Sequence, residues 1–393
     1  MQSLVSGLMP RPTYSRGAEL QREFENAVGR LRQTDTWTNP ATGQEELNAD
    51  LVLEGGGVKG IGLAGAICVL AEAGYKFPRT AGTSAGAIAA VLVAAVQKSG
   101  QDMSVLDRYL RDLRYVDFTR TGRIRHALER VIGRVPAGLV PLLFRGGLYD
   151  GSYLNTWLSQ KLGECGVTSW DDLKITPGED PGTDLPKERQ YHAVVYASDI
   201  TRGMVARLPW DYQQFYGLTP EEEMVISAVR GSMSIPFFFV PDRVATKRAE
   251  IDLPDDGKII WPGGKVTWVD GGMLANFPIT AFDRTQGAPR WPTIGIKLSA
   301  EPAVQPRDRP VRNAVSEGWR CLSTLKSEWD QYHVDETTAG RIIWVSSQGI
   351  DGTNFALTKD QQDGLFESGA KAATEFLIKW SAQGGLPRSD HRA

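Results

Sequence analysis

The sequence predicts an α/β protein, and three observations predict it. Two successive segments pass from a short strand through a glycine turn into an apolar helix: Asp50 to Glu54, Gly55 to Gly60 and Ile61 to Ala73, then Lys76 to Ala81, Gly82 to Gly86 and Ala85 to Val96. A later strand, Val266 to Val269, runs straight into Asp270-Gly271-Gly272. Strands alternating with helices call for a sheet covered by helices. Ligands of such sheets sit at the carboxyl ends of the strands, which is where all three glycine-bearing turns fall.

Composition narrows the class. The 393 residues, 41% apolar and 23% charged, suit a globular protein with a full core. A formal net charge of −3 gives no reason to expect a nucleic-acid partner. Cys68, Cys165 and Cys321 are scattered singly, without the spacing of a disulfide framework or a zinc site, so neither is expected. Met1 to Pro12 lacks the pattern of a signal peptide, and no run reaches the ~20 apolar residues that span a bilayer. The expected location is cytoplasmic, with peripheral contact to membranes open.

Taken in order, residues 1–16 read as an arm. Leu20, Phe24, Val28 and Leu31 recur at helical spacing and predict an amphipathic helix packed on the body. The polar stretch Gln33 to Asn48 reads as loop. Residues 1–49 thus stand before a catalytic unit expected over 50–382, with a frayed tail over 383–393. After the second strand–turn–helix unit, eight arginines lie between Arg108 and Arg134, interleaved with acids. They are either a solvated pair of helices or a face for anionic headgroups. Val135 to Phe144 is apolar but broken by Pro136, Gly138 and Pro141, which suits a buried connector or a flap over a lipid cleft. Further on, the patterns predict a helix over Tyr153 to Leu162 and a strand over Tyr191 to Ile200. Another helix should begin at Thr219-Pro220 and run to about Arg230, before an apolar cleft wall ending in Phe237-Phe238-Phe239. Strands at Thr293 to Leu298 and Ile342 to Ser346, with helices at Val311 to Tyr332 and Thr358 to Trp380, complete the layers.

The turns carry chemistry. Gly82-Thr83-Ser84-Ala85-Gly86 has the G-x-S-x-G form of a nucleophile elbow in the required strand-to-helix context, with Ser84 at the exposed tip. Gly55-Gly56-Gly57-Val58-Lys59-Gly60 can offer successive amides to an anion at a helix N-terminus. The same loop fits G-x-G-x-x-G through Gly55, Gly57 and Gly60, but the next strand ends in the serine elbow rather than the acid a dinucleotide requires. A Walker loop is excluded because Gly60, not Ser or Thr, follows Lys59. Asp270-Gly271-Gly272 is an ordinary turn or a catalytic carboxylate. Nucleophile, base and oxyanion donors are what acyl transfer needs. Of the four histidines, only His333 follows Asp270 in serine–acid–histidine order, and a lone histidine at a helix end more commonly caps or faces solvent.

With these residues in view, the chain resembles the patatin-like phospholipases. The glycine loop with Lys59 and Gly60, the elbow between Gly82 and Gly86, and Asp270 with Gly271 and Gly272 look like that family's three motifs in order. Arg230 to Phe239, Asn276-Phe277-Pro278 and the helix after Thr358 are also similar, so the resemblance covers about 50–380. It implies a three-layer α/β/α sandwich with a mostly parallel central sheet. It also implies a lipid acyl hydrolase of phospholipase A type that uses a Ser84–Asp270 dyad, Gly56 and Gly57 in the oxyanion hole, and no cofactor. An exposed aspartate, with a pKa near ~3.9, is a weak base at neutral pH, so the role requires a buried Asp270, for which the Phe237 to Phe239 run could provide the surroundings. The expected partner is a phospholipid or other acyl-ester lipid. The alternatives are a catalytically silent lipid- or nucleotide-binding protein of the same fold and an NAD-binding oxidoreductase.

Overall fold

The computed structural model describes residues 14–39, 42–114, 116–117, 147–176, 185–253, 257–284, 290–298, 336–352 and 354–385. Expectations for Arg120 to Arg134, the 135–144 connector, the helix over 311–332 and His126, His333 and His391 lie outside these residues.

Helix α1 (Ala18–Thr34) precedes the antiparallel pair β1 (Thr36–Thr38) and β2 (Glu45–Asn48). The first strand–turn–helix unit is β3 (Asp50–Leu53) with α2 (Ile61–Glu72), and the second is β4 (Tyr75–Lys76) and β5 (Thr80–Thr83) with α3 (Ala85–Lys98). Then come α4 (Val105–Asp112), β6 (Gly147–Tyr149), α5 (Ser152–Glu164), β7 (Ala193–Asp199), β8 (Met204–Leu208), α6 (Tyr212–Tyr216) and α7 (Val225–Ser232). The strands β9 (Phe237–Phe239), β10 (Asp242–Thr246), β11 (Ala249–Leu253), β12 (Gly257–Trp261) and β13 (Gly264–Asp270) follow. The described chain ends with β14 (Thr293–Lys297), α8 (Glu336–Ala339), β15 (Ile342–Trp344) and α9 (Lys359–Ala382).

The central sheet has eight strands in the order β10-β13-β7-β5-β3-β14-β15, with β8 beside β7, and helices on both sides. From β7 to β15 every pairing is parallel, while β13, β10 and β8 join antiparallel. Every residue of β3, β5, β7 and β14 is buried, as expected of strands covered on both faces. The fold class is the expected α/β architecture with a mostly parallel sheet.

Local expectations failed where tertiary pairing outweighs local pattern. The supposed loop before residue 49 contains β1 and β2, which are too short and polar to show alternation, and β2 forms beside β4 with Leu47 opposite Tyr75. The strand expected over 76–81 is split at Pro78, where the Gln97 side chain bonds both the Phe77 N–H and its carbonyl. Thr219-Pro220 opens only a short 3₁₀ turn, with no side-chain cap from Thr219, and α7 begins at Val225.

Candidate active site

Strand register brings the serine elbow to the aspartate. On β7, Tyr196 faces Thr83 of β5, and the next residue, Ala197, faces Asp270 of β13. Because β5 runs parallel to β7 and β13 antiparallel, both end at the same place, so Ser84 and Asp270 leave their strands side by side. The fit is close: a Cβ on Gly271 would lie 2.0 Å from the Tyr196 carbonyl oxygen and 2.9 Å from Thr83 Cγ2.

Ser84 adopts φ 54° and ψ −122°, a strained conformation for a residue with a side chain, between β5 and α3. It is held by a relay in which the Ser84 N–H donates to Ser232 Oγ at 2.8 Å and the Ser232 hydroxyl donates to the Tyr196 carbonyl at 2.6 Å. Thr83 Oγ1 donates to the Ala275 carbonyl at 2.7 Å, fastening the elbow to the turn after Asp270. The expected exposure of Ser84 is not seen. The residue is only 2% exposed, with its hydroxyl 3.6 Å from Met233 Sδ, because the segment after α7 lies over the elbow.

Asp270 is fully buried. Its Oδ1 accepts from Gly272 N at 2.9 Å, its N–H donates to the Ser234 carbonyl at 2.9 Å, and its carbonyl accepts from Ser198 Oγ at 3.0 Å. The neighbours that fix it thus include polar groups of Ser198, Ser234 and Gly272. The phenylalanine run contributes otherwise than expected: Phe237 turns 52% of its surface to solvent, while Phe238 stacks on Phe355 at 5.2 Å.

The glycine loop follows β3. Gly57 has φ 58°, and a Cβ there would meet the Gly352 carbonyl oxygen at 2.1 Å, so both backbone conformation and space require glycine. Gly352 O also accepts the Val58 N–H at 3.0 Å, and Asn276 O accepts the Gly55 N–H at 3.1 Å. Among the described residues neither the Gly56 nor the Gly57 amide donates to an acceptor within the chain. Beside loop and elbow lies a small apolar pocket of about 20 Å³, room for about one water, walled by Ile88, Leu110, Leu113, Met233, Ile235 and Phe355.

Several structural partners of the site were not foreseen from the sequence. Glu54, the last residue before the loop, is 5% exposed, and its carboxylate receives Lys297 Nζ at 2.6 Å, Asn276 Nδ2 at 3.3 Å and the Leu298 N–H. Arg230, also buried, donates to Ser234 Oγ at 2.7 Å and to the Val240 carbonyl at 2.7 Å, tying α7 to β9. Burial pulls its pKa below the ordinary guanidinium value, with Asp242 and Asp150 opposing. A charged residue inside an otherwise apolar strand, as in Thr293-Ile294-Gly295-Ile296-Lys297, was the available clue to Lys297. His192 lies at the opposite end of β7, with Nδ1 2.8 Å from the Pro78 carbonyl. Asp199 is occupied by the Thr201 and Arg202 amides and the Tyr216 hydroxyl. Among the described residues no group of three or more His, Cys, Asp and Glu is placed to hold a metal, and no helix is long and apolar enough to cross a membrane.

The strained Ser84 and the buried Asp270 thus end strands on either side of β7, and the glycine loop approaches the elbow, where a Cβ on Gly55 would lie 3.1 Å from Ser84 Cβ. Residues 51–283 match the family model described as patatin-like phospholipase. A Bacillus subtilis (strain 168) protein described as the uncharacterized protein YqhO is 32% identical over 335 residues, which cover 84% of this chain and 99% of that one. The chain belongs to the patatin-like phospholipase family, a family of lipid acyl hydrolases. Solved structures with a similar course include VipD from Legionella pneumophila, at 18% identity and a TM-score of 0.44 over 88% of this chain and 70% of that one. Another is the heterodimeric complex ExoU-SpcU of Pseudomonas aeruginosa, at 14% identity and a TM-score of 0.40 over 96% of this chain and 60% of that one.

Proposed function

We propose that the chain is a phospholipase A-type acyl hydrolase working through a Ser84–Asp270 dyad. Ser84 Oγ attacks the acyl carbonyl while Asp270 takes its proton, and the Gly56 and Gly57 amides receive the developing oxyanion. The proton then passes to the leaving alcohol, and water activated by Asp270 hydrolyses the acyl-enzyme. The observation that carries this reading is the β7 register, which sets Thr83 and Asp270 opposite the consecutive residues Tyr196 and Ala197. The small apolar pocket between Gly57 and Phe355 would take the acyl chain only once it widens and Met233, which lies over the Ser84 hydroxyl, moves aside. Gly55, Lys59, Gly60, Gly82, Gly86, Gly271 and Gly272 support the turns. Binding is to a lipid surface from outside, at peripheral membrane sites within the cytoplasm. Residues 50–382 form the catalytic unit, with α1 packed against α9.

Incubation with mixed phospholipids, followed by identification of released fatty acids, tests the reading. Fatty acid release by the natural chain and none by Ser84→Ala is expected. Equal release by both would assign the activity elsewhere, and lipid binding without release by either would make the chain a silent member of its fold.

A further inference from the structure

Ion pairs with both side chains largely buried include Asp50 with Arg79, Asp283 with Arg341, and Glu54 with Lys297. The first two stand at the amino ends of the parallel strands, where Arg79 precedes β5 and Arg341 precedes β15, and both are two-pronged arginine–carboxylate contacts. They bind carboxylate and guanidinium to each other. Glu54 and Lys297 stand at the opposite, carboxyl ends of β3 and β14, directly under the glycine loop. Their contact is single-pronged, and the remaining capacity of the carboxylate goes to the surroundings: the Leu298 N–H and Asn276 Nδ2.

Each of these contacts leads to the loop. Leu298 packs on Gly56 so closely that a Cβ on that glycine would lie 2.5 Å from Leu298 Cδ1. Asn276 accepts the Gly55 N–H through its own carbonyl and belongs to the turn that starts at Asp270. Lys297 is held over the Phe277 ring at 4.9 Å. One carboxylate therefore fixes the floor of the loop, the strand that supports it and the turn bearing the aspartate. A buried ion pair is commonly no more stable than a well-packed apolar pair, so stability alone does not account for this placement.

We propose that Glu54 and Lys297 are a positioning pair that sets the Gly56 and Gly57 amides for the oxyanion. Lys297 lies beyond the 51–283 stretch matched by the family model, so the device draws a residue from outside that stretch into the site. The proposal rests on the acyl-hydrolase reading. It is a claim about geometry: neither side chain touches substrate, so their loss raises the barrier without weakening substrate binding.

The test uses the full chain with p-nitrophenyl butyrate as a soluble ester and a trifluoromethyl ketone whose adduct with serine places an oxyanion in the hole. Glu54→Gln combined with Lys297→Met removes both charges and keeps the shape. The expected result is a folded protein whose kcat falls about 10- to 100-fold with KM within about twofold. The ketone inhibition constant rises by the factor lost in kcat/KM. Asp283→Asn with Arg341→Met is the control for losing a buried pair, and it should lower the melting temperature while leaving kcat unchanged. Should the double variant not fold, Glu54→Asp keeps the charge but withdraws the carboxylate by one methylene, and a drop in kcat at constant KM is again expected. A folded variant of either kind with natural kcat and natural ketone affinity overturns the positioning role while leaving the dyad intact. A natural chain that neither turns over the ester nor binds the ketone overturns the hydrolase reading and this proposal with it.

Discussion

Ser84 stands in a conformation that costs energy, and Ser232 is the residue that holds it there. Replacing Ser232 with Ala strips the buried Ser84 N–H and Tyr196 carbonyl of their shared partner, at a cost of about 1–3 kcal/mol. Urea unfolding should show that loss, and turnover should fall as the elbow relaxes; unchanged stability and rate would mean that α3 and β5 hold the elbow unaided. Gly57 carries a second lesson. From sequence, alanine there is a clean probe of the oxyanion donors. In the structure its methyl group would strike the Gly352 carbonyl at a backbone φ of 58°, so Gly57→Ala is expected to lose melting temperature as well as rate. The Glu54 and Lys297 variants are the sharper probe. Both dyad candidates and all the glycines were legible in the sequence because each marks a turn of unusual shape. Ser232, Glu54 and Lys297 were not, because their roles depend on which segments meet across more than a hundred residues of chain.

At the scale of elements, α2 and α9 pack along one another through small residues. A Cβ on Gly65 would meet the Phe366 carbonyl at 2.0 Å, and one on Gly369 would meet the Gly62 carbonyl at 1.9 Å. Gly369→Ala should therefore destabilise the protein: the ~1 kcal/mol gained in helix propensity is smaller than the ~1–3 kcal/mol of overpacking. A stabilised variant in urea titration would contradict this crossing. The start of α9 was well marked in the sequence by Thr358, and the structure has a capping box, Gln361 N–H to Thr358 Oγ1 at 3.2 Å and Thr358 N–H to Gln361 Oε1 at 3.0 Å. Thr358→Ala should cost about 1 kcal/mol with kcat unaffected. The helices α2 and α3 were readable because they are apolar nearly all round. The strands β10, β11 and β12 had no foreseen counterpart, although Ala249 and Ile251 of β11 alternate with Glu250 and Asp252 and are buried; β12 has no such alternation and pairs with β11, while β10 pairs with β13.

For the whole molecule, burial of weak acids fixes the alkaline limit of stability. Burial first, and Asp107 second, pushes the Cys68 thiol up to about 12, and burial likewise raises Tyr75, Tyr196, Tyr212 and Tyr216. In the unfolded chain these groups lose their protons near ~8.5 for Cys and ~10 for Tyr. The folded state then binds more protons than the unfolded one, so stability is full below about pH 8 and falls as pH rises toward about 12. Urea midpoints should decline steadily between pH 8 and pH 11 on that account, and a flat profile would mean that these side chains reach water in the folded state. The central claim is that one serine, set by β7 beside one aspartate, performs acyl transfer. Fluorophosphonate labelling with the modified residue located by mass spectrometry tests it most directly. The expected result is label on Ser84 alone, lost in Ser84→Ala and slowed by orders of magnitude in Asp270→Asn with folding intact. Label on another residue, or undiminished labelling of Ser84 in Asp270→Asn, would contradict it.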